Sequence, residues 1–440
     1  MPHAHSIFPL LAALSLGAVS PLPAQQLTPT EQRIRSYLQR HQADEIALLA
    51  KSVDIKSQTL DLPGVRAVGQ LFADRLASIG FQTRWIPMPQ SMHRAGHLIA
   101  ERTGGAGKRL LLIGHLDTVV EADSLNFARI DSATAKGAGS NDMKGGDVIM
   151  IEALEALNSV GALANKTITV VMTGDEEAAG DPLAIARAPL IDAAKHSDIA
   201  LAFEGGNPHD ATVARRGASS WLLTVHGHGA HSAGIFSAGA GYGAVFEAAR
   251  IVNEFRTQLA GQQYLTFNPS VIVGGTDVAY DSTTVSGSAR SKLNIIASNV
   301  SVSGDLRFLT EGQKDSTREH MRAIATHDNL AGTSAEIVFA DEYPAMAPTP
   351  ANYAVLAVYD SASRALGYGP VAALDPGRRG AGDISFVAPM ITGLDGLGAM
   401  GSGSHTPAER VDLNTLPMQT ERAAILIYRL LESRIFTPKQ

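Results

Sequence analysis

Hydrophobic positions follow two alternating patterns along most of the chain. Apolar residues at helical spacing predict helices over 28–49 and 65–79, and Thr28 and Glu31 have capping-box spacing at the start of the first helix. The short apolar run 109–114 is typical of a strand that is buried on both faces. The same patterns predict helices at 147–160, 182–195, 351–366 and 416–433, and strands at 167–173, 198–203 and 389–394. Strands that alternate with helices indicate an α/β fold with an open sheet.

The pattern changes near residue 215. Segments 221–226 and 299–308 alternate apolar and polar residues, as half-buried strands do, and a helical stretch at 242–259 lies between them. This change predicts a smaller α+β unit that interrupts the α/β domain. The predicted units are the α/β domain at 25–214 and 342–440 and the insertion at 215–341.

The first residues have the features of an export signal. An apolar run at 7–19 is followed by small residues and proline up to Ala24, which is typical of a signal peptide that is cleaved there. The run is too short to span a membrane, and a disordered apolar start is the alternative. We therefore expect an exported protein, periplasmic or secreted, that has no membrane partner once residues 1–24 are removed.

Composition excludes several kinds of site and partner. The sequence has no cysteine, which excludes thiol nucleophiles, disulfides and cysteine-based metal sites, so a bound metal would need His, Asp or Glu. It has 36 Lys plus Arg against 43 Asp plus Glu, a formal net charge of -7, and no dense basic run. We therefore expect no nucleic-acid partner.

A histidine and a carboxylate follow the first predicted strand. His115 and Asp117 come directly after 109–114, at the carboxyl end of the strand, where open α/β sheets bind ligands. A carboxylate that holds one imidazole N–H orients the ring for metal binding through its other nitrogen. Asp117 could orient His115 in this way, and a histidine with an ordinary local hydrogen bond is the alternative.

A glycine-rich turn at 137–146 carries Asp142 and leads into the next predicted helix. Glycine allows a ligand to approach the backbone closely. The spacing is not that of a phosphate-binding loop, and Asp142 would repel a phosphate. A simple turn with Asp142 as a helix cap is the alternative.

Carboxylates also follow the next two predicted strands. Asp175, Glu176 and Glu177 come after 167–173, and Glu204 ends the run at 198–203. Crowded carboxylates repel one another unless cations neutralise them, so metal binding or general-base chemistry would explain their position. A solvated acidic loop is the alternative.

His405 completes a set of metal-binding side chains. It lies in a Gly/Ser-rich loop, and nearby Glu409 has capping-box spacing from Thr406, which is consistent with a purely structural role for Glu409. Donors of these types at strand ends and loops suit two Zn²⁺ about 3.5 Å apart that bind and deprotonate a water molecule. Glu176 then remains as the base. The predicted metal ligands are His115, Asp142, Glu177, Glu204 and His405.

Five motifs in a fixed order connect the chain to a known family. They are His115-Leu-Asp117-Thr118-Val119, Asn141-Asp142-Met-Lys-Gly-Gly146, Asp175-Glu176-Glu177, Phe203-Glu204 and His405-Thr-Pro-Ala-Glu409. Over nearly the whole mature chain, the sequence resembles the co-catalytic zinc aminoacylases and carboxypeptidases that include bacterial glutamate carboxypeptidase. The resemblance implies a zinc-peptidase-like mixed sheet flanked by helices, with an inserted α+β lid or dimerisation domain.

The resemblance also implies roles for the motif residues. Asp142 would bridge two Zn²⁺, with Co²⁺ as a substitute, and Glu176 would be the general base. Asp117 would support a metal ligand from behind. His115 and Glu204 would complete one metal site, and Glu177 and His405 would complete the other.

Three residues of the insertion match further functional positions of this family. The resemblance implies that His231 polarises the scissile carbonyl, that Asn294 holds it, and that Arg307 binds the terminal carboxylate, a task that suits a planar guanidinium. It also implies a homodimer formed through the insertion. The alternatives are an ordinary salt bridge for Arg307 and a surface metal site made by His226, His228 and His231.

Two departures from the family pattern argue against assuming specificity for glutamate. Ala138 lies between two glycines where many relatives have arginine, and Tyr343 lies where some glutamate-specific members have a basic residue. Arg378 and Arg379 are candidate replacements for that charge, and two solvated loop arginines are the alternative.

The sequence therefore predicts a di-zinc hydrolase that cleaves an amide bond next to a free carboxylate, as a carboxypeptidase of the glutamate carboxypeptidase type does. Its substrates would be peptides or N-acyl amino acids. An N-acyl-amino-acid deacylase, aminopeptidase or dipeptidase with the same metal site is the main alternative. A metal-free binding protein of the same fold is the alternative outside the enzymes.

Overall fold

A computed structural model describes residues 26–120 and 126–433, so the predicted signal peptide at 1–24 lies outside the described residues. Within those residues the α-helices are α1 Pro29–Asp54, α2 Leu62–Ser78, α3 Lys144–Ser159, α4 Leu183–Ala186, α5 Ala188–Lys195, α6 Gly243–Leu259, α7 Glu311–Thr326, α8 Pro350–Leu366 and α9 Leu416–Glu432. The strands are β1 Gln82–Ile86, β2 His97–Arg102, β3 Leu110–His115, β4 Ala128–Arg129, β5 Thr134–Lys136, β6 Ile168–Thr173, β7 Ile199–Ala202, β8 Asp210–Ala211, β9 Gly217–Gly227, β10 Thr266–Gly275, β11 Asp277–Asp281, β12 Ser286–Arg290, β13 Asn299–Phe308, β14 Thr333–Asp341, β15 Ala372–Ala373, β16 Thr392–Leu394, β17 Gly401–Ser402 and β18 Arg410–Asp412.

Local sequence sets the start of α1. The Glu31 amide donates to Thr28 Oγ1 at 3.3 Å, and the Thr28 amide donates to Glu31 Oε2 at 2.7 Å, so both hydrogen bonds of the capping box are present. Pro29 occupies the first turn, where a backbone N–H is not needed. The predicted helix start is confirmed.

The central sheet has six strands in the order β1-β2-β6-β3-β7-β16. β3 pairs parallel with β6 and β7, whereas β2 pairs antiparallel with β1 and β6, so the sheet is mixed as predicted. Every residue of β3 and β6 is buried, which explains their uninterrupted apolar runs. The register places His115 beside Thr173, so the chain leaves both strands at the same edge of the sheet.

Apolar cores lie on both faces of this sheet. Leu112 of β3 belongs to a large core that includes Ile151 of α3 and Ile425 of α9. The next residue, Ile113, belongs to a separate core with Leu190 of α5, because successive side chains of a strand point to opposite faces. The prediction of a sheet flanked by helices is confirmed. None of the described helices is long and apolar enough to cross a membrane.

The insertion has its own sheet and core. Its four strands pair antiparallel in the order β10-β13-β9-β14, and α6 and α7 pack against them. Trp221, Leu223, Phe255 and Met321 belong to an apolar core that is separate from those of the central sheet. The hairpin β11–β12 lies next to β10. The structure therefore confirms that a smaller α+β unit interrupts the α/β fold.

Several elements differ from the sequence prediction. The helix predicted at 182–195 is divided into α4 and α5 at Arg187, whose fully buried guanidinium bonds Asp175 at 2.6 Å, and Pro189 starts the second helix. The helix α7 and the strands β10 and β14 were not predicted. α7 has few apolar side chains, among them the buried Met321 and Ile324, so its overall hydrophobicity is low.

Candidate active site

The carboxyl ends of β3, β6 and β7 meet at one edge of the sheet and bring the predicted site residues together. His115 ends β3, Glu176 and Glu177 follow β6, and Glu204 follows β7. Asp142 reaches the same edge from the turn that precedes α3. A Cβ atom on Gly146 in the first turn of α3 would lie 1.9 Å from the Phe203 carbonyl oxygen, so only glycine permits this close approach.

Asp142 lies between the two predicted histidine ligands. Its Oδ1 is 3.3 Å from His115 Nε2, and its Oδ2 is 3.1 Å from His405 Nε2. The two oxygens of one carboxylate therefore face two different imidazoles. This arrangement suits a carboxylate that bridges two cations.

The other two predicted ligands complete the two halves of the site. Glu204 Oε1 is 3.8 Å from His115 Nε2, and Glu177 Oε2 is 3.2 Å from His405 Nε2. The ligand atoms of His115, Asp142 and Glu204 all lie within 4.8 Å of one another, and so do those of Asp142, Glu177 and His405. Two groups of metal-binding atoms thus share Asp142, and the structure brings all five predicted ligands together.

The side chains at this site fit a pair of divalent cations. His115 Nε2 and Glu177 Oε1 are buried and have no hydrogen-bond partner among the described residues. A buried polar atom without a partner costs on the order of 1–3 kcal/mol. A cation in each group of ligands would satisfy both atoms, and a set of imidazole nitrogens and carboxylate oxygens is suited to Zn²⁺.

The electrostatics of the site also reflect crowded negative charge. Burial, together with the charge of Asp142, raises the pKa of Glu204 to about 7. Burial and the charge of Glu204 raise the pKa of Glu176 well above its usual range. The carboxylates of Asp142 and Glu177 raise the pKa of His405 to about 10. The cluster therefore favours bound positive charge, either protons or metal cations.

Asp117 supports the site in a different way from the predicted one. The nearest acceptor to His115 Nδ1 is the backbone carbonyl of Asp117 at 3.0 Å, whereas the Asp117 carboxylate is 3.6 Å away. That carboxylate instead accepts the backbone amides of Glu176 and Glu177, at 3.0 and 3.1 Å, and the Thr59 hydroxyl at 2.6 Å. Asp117 thus orients the loop that carries two other site residues.

Glu409 holds the turn that carries Asp142. Its carboxylate accepts the backbone amides of Gly139, Asn141 and Asp142 at 2.9, 2.9 and 3.0 Å, and it is almost fully buried. The sequence spacing from Thr406 indicated only a capping box. Because these contacts span more than 260 residues of the chain, no local pattern could reveal them.

A buried polar network lies behind Glu176. The Tyr343 hydroxyl donates to the Glu176 carbonyl oxygen at 2.8 Å and accepts from Arg187 at 3.0 Å. Arg187 also pairs with Asp175 at 2.6 Å and with Asp383 at 2.8 Å. Tyr343, which lies where some glutamate-specific members of the family have a basic residue, therefore contacts the backbone of Glu176.

The predicted substrate-binding residues of the insertion lie apart from the metal ligands. The Ser232 amide donates to the Asn294 carbonyl oxygen at 2.9 Å, so His231 and Asn294 are close together, and both are exposed. Arg307 pairs with Asp305 at 3.0 Å, as its alternative interpretation proposed. Within 26–120 and 126–433, none of these three residues has a hydrogen bond or ion pair with a predicted metal ligand.

The alternative surface metal site on the insertion does not form. His226 Nδ1 contacts Asn299 Oδ1 at 2.9 Å, and His228 Nδ1 contacts the Gly239 carbonyl oxygen at 3.0 Å. In the part of the chain that the structure describes, the groups with metal-binding geometry lie only at the edge of the central sheet.

Comparisons with known proteins identify relatives over most of the chain. The model of peptidase family M20/M25/M40 matches residues 111–429. Carboxypeptidase G2 of Pseudomonas sp. (strain RS-16) is 25% identical over 397 residues, which cover 88% of this chain and 89% of that protein. These matches confirm the resemblance that the motifs indicated.

Two solved structures show the same fold. Aminopeptidase PepT from Bacillus cereus gives a TM-score of 0.69 at 18% identity and covers 88% of this chain and 98% of its own. A dinuclear metal-binding peptidase of the M20 family from Bacillus subtilis gives 0.64 at 16% identity and covers 90% and 99%. At these identities the likeness concerns the fold.

Proposed function

This chain belongs to peptidase family M20/M25/M40 and is a metallopeptidase-type hydrolase, and on that basis we propose that it cleaves an amide bond next to a free carboxylate. The observation that carries the proposal is the placement of Asp142 between two histidines, with Glu176 beside them. Carboxypeptidase G2, which is similar over most of both chains, supports carboxypeptidase activity in particular.

We propose that the site binds two Zn²⁺, which Co²⁺ can replace. His115 and Glu204 would hold one ion, Glu177 and His405 would hold the other, and Asp142 would contact both. When bound, such ions polarise a carbonyl group and lower the pKa of water toward 7.

Glu176 has the position and the protonation behaviour of a general base. It is half-buried beside His115 and Glu177, and burial together with the charge of Glu204 raises its pKa, which makes it a stronger proton acceptor than an ordinary glutamate. It would take the proton of the attacking water and return it to the leaving amine. Asp117 and Tyr343 hold the backbone of Glu176 from two sides, which fixes the carboxylate for this transfer.

The insertion would supply the substrate-binding residues through a homodimer. An exposed aromatic patch lies on α6, the preceding loop and the edge strand β10, and apolar patches of this kind mark protein contacts. The Val245 side chain would contact a Cβ placed on Gly274 of β10 at 3.5 Å, so the helix and the strand present one surface. The aromatic patch consists of Phe236, Tyr242, Val245, Phe246 and Ile272.

A second copy of the chain is the proposed partner of the aromatic patch. In a two-fold dimer, His231 and Asn294 of one subunit would reach the metal ligands of the other, which would explain why they contact no ligand within their own subunit. His231 would then polarise the scissile carbonyl, with Asn294 beside it, and Arg307 would bind the substrate carboxylate.

Hydrolysis assays test the proposed function directly. Purified protein loaded with Zn²⁺ would be given N-acyl amino acids, dipeptides with a blocked amine and dipeptides with a free amine, with and without a chelator. We expect chelator-sensitive release of the carboxyl-terminal amino acid from blocked substrates. Hydrolysis of free-amine peptides alone would favour an aminopeptidase, and no hydrolysis with under one zinc per chain would favour a binding protein.

The proposed export has a separate test. The motif at 1–24 is the basis of the proposal. Expression of the full chain followed by cell fractionation and amino-terminal sequencing should give a periplasmic or secreted protein that starts after Ala24. Recovery of the uncleaved chain from the cell interior would contradict this proposal and leave the hydrolase proposal unaffected.

A further inference from the structure

Arg379 lies beside the predicted metal ligands and has no carboxylate partner. One guanidinium nitrogen donates to the carbonyl oxygen of Gly205, the residue that follows Glu204. No carboxylate oxygen among the described residues lies within 4 Å of Arg379, although Glu204, Asp142 and Asp395 are close enough to influence its pKa. Arg379 is thus a cation whose direct contact in the site is a neutral carbonyl group.

A second arginine, Arg215, pairs with the neighbouring carboxylates. Arg215 is almost fully buried, its Nε bonds Asp395, and its Nη2 is 3.9 Å from Glu204. The same Nη2 atom has no hydrogen-bond partner among the described residues. Burial and the charge of Arg215 both lower the pKa of Arg379, which shows that the two guanidinium groups repel each other.

The charges of this cluster do not balance when Glu204 binds a metal. If Glu204 and Asp142 held cations, Asp395 would be the carboxylate outside the predicted metal-binding cluster whose charge acts on both Arg215 and Arg379. A buried or partly buried charge without a partner is unfavourable, so the cluster has an electrostatic preference for one additional anion.

There is room for an anion at Arg379. A Cβ atom placed on Gly205 would meet no atom closer than 3.8 Å, and one placed on Gly380 would meet none within 4 Å. Arg379 itself remains partly exposed. Arg378 differs, because its side chain is 64% exposed and lies 3.9 Å from Asp210.

We propose that Arg379 binds a second carboxylate of the substrate, in addition to the carboxylate next to the scissile amide. The planar guanidinium can hold a carboxylate through two parallel hydrogen bonds. Because Arg379 contacts the residue next to a metal ligand, and consecutive Cα atoms are about 3.8 Å apart, a residue that flanks the scissile bond can reach it. This inference rests on the proposed amide hydrolysis and specifies dianionic substrates for the same site.

Two substrate pairs that differ in charge test this role. N-acetyl-L-glutamate and N-acetyl-L-glutamine place the difference on the leaving amino acid, and N-succinyl-L-alanine and N-butyryl-L-alanine place it on the acyl group. The variants are Arg379→Gln, Arg379→Lys and the control Arg378→Gln. Metal content and thermal melting of each variant are measured alongside kcat/KM.

In one of the two pairs, we expect Arg379→Gln to lower kcat/KM for the charged substrate about 30-fold. This loss corresponds to about 2 kcal/mol, since a tenfold change is about 1.4 kcal/mol. Its neutral counterpart should change less than about 3-fold. Arg379→Lys, which keeps the charge without the planar fork, should give an intermediate loss and carries the test if the glutamine variant does not fold. Arg378→Gln should leave both pairs unchanged. The affected pair identifies the side of the substrate that carries the second carboxylate.

Equal losses on charged and neutral substrates, or no loss on any, would overturn the role of Arg379. Failure of the zinc-loaded wild type to hydrolyse any of the four compounds would instead contradict the proposed function. In that case, calorimetric binding of the same compounds to wild type and Arg379→Gln decides the inference. Selective weakening of a charged compound supports it, and equal binding of charged and neutral compounds refutes it.

Discussion

The edge of the central sheet and the insertion differ in how complete their functional groups are. At the sheet edge, five potential metal ligands and Glu176 are already assembled within one chain. In the insertion, His231 and Asn294 are exposed and Arg307 pairs with its neighbour Asp305. The groups proposed for catalysis therefore lie together in the domain of the central sheet, whereas the proposed role of the insertion requires contact with a second subunit.

The largest effect is expected at Glu176, in the group of residues that is already assembled at the edge of the central sheet. Glu176→Gln removes the general base and leaves the ligand atoms in place, so kcat should fall about 10²–10⁴-fold. Metal content should remain at two ions per chain, measured by atomic emission spectroscopy. An almost unchanged kcat would remove Glu176 from this role, and loss of both ions would show that it acts mainly in metal binding.

The next largest effect is expected at His231 of the insertion. His231→Ala removes a proposed donor to the developing oxyanion, so kcat should fall about 10²-fold while metal content stays constant. Equal loss of activity and metal would assign His231 to metal binding.

Mixing two inactive variants tests whether the insertion of one subunit serves the metal-binding cluster of the other. If His231 acts across a two-fold dimer, subunits of His231→Ala and Glu176→Gln that exchange at random should recover about a quarter of the wild-type sites. Mixed dimers have one site with both residues intact. No recovery, with subunit exchange verified by mass spectrometry, would mean that His231 acts within its own subunit.

A smaller effect is expected at Tyr343, which connects the insertion to the edge of the central sheet. Tyr343 follows β14 of the insertion, and its hydroxyl bonds the Glu176 backbone at 2.8 Å. Tyr343→Phe should lower kcat about 5- to 10-fold with little change in KM, because one hydrogen bond contributes about 1 kcal/mol. Tyr359→Phe is the matched control, since that buried hydroxyl bonds Gln419 at 3.0 Å and bonds neither Glu176 nor a predicted metal ligand in the described part of the chain. Equal reductions in both variants would indicate general destabilisation.

The smallest effect on turnover is expected at Glu45 of α1, whose substitution should change mainly the pH dependence of stability. Burial raises the pKa of Glu45 from 4.5 to about 7, despite a hydrogen bond from Thr420. The unfolded chain releases this proton near pH 4.5 and the folded chain near pH 7, so Glu45 makes stability fall as pH rises through this window. The expected loss is on the order of 1–3 kcal/mol.

Glu45→Gln should remove that loss, so the thermal stability of this variant relative to wild type should increase from pH 4.5 to 7.

Glu247 of the insertion should have the opposite effect on the pH dependence of stability. Hydrogen bonds from Arg250, Leu330 and Asn329 overcome its burial and lower its pKa. Stability from Glu247 is present above its unfolded pKa and is lost as pH falls through the folded value. Melting curves of Glu45→Gln and Glu247→Gln across pH should therefore diverge, and parallel curves would contradict this assignment.

The sequence predicted the sheet edge well because His115, Glu176, Glu177 and Glu204 lie at or just after the carboxyl ends of buried strands, whereas Asp142 and His405 lie in loops. His115 ends β3 and Glu204 follows β7, and parallel strands bring their carboxyl ends together in any sheet of this kind. The break at Arg187 was missed although Pro189 is a local signal for it, whereas the buried pair of Arg187 with Asp383 depends on the tertiary structure. The low overall hydrophobicity of α7 also concealed a helix that packs against the sheet of the insertion.

The sequence by itself determined the fold class, the family and the types of side chain available for metal binding, because these depend on local periodicity and on ordered motifs. Only the tertiary structure decided that Glu409 holds the turn of Asp142, that Asp117 orients the loop of Glu176, and that Arg379 lies beside Glu204 without a carboxylate. These contacts join residues 59 to 267 positions apart. Their energies depend on burial and on neighbouring charges, which exist only after the chain has folded.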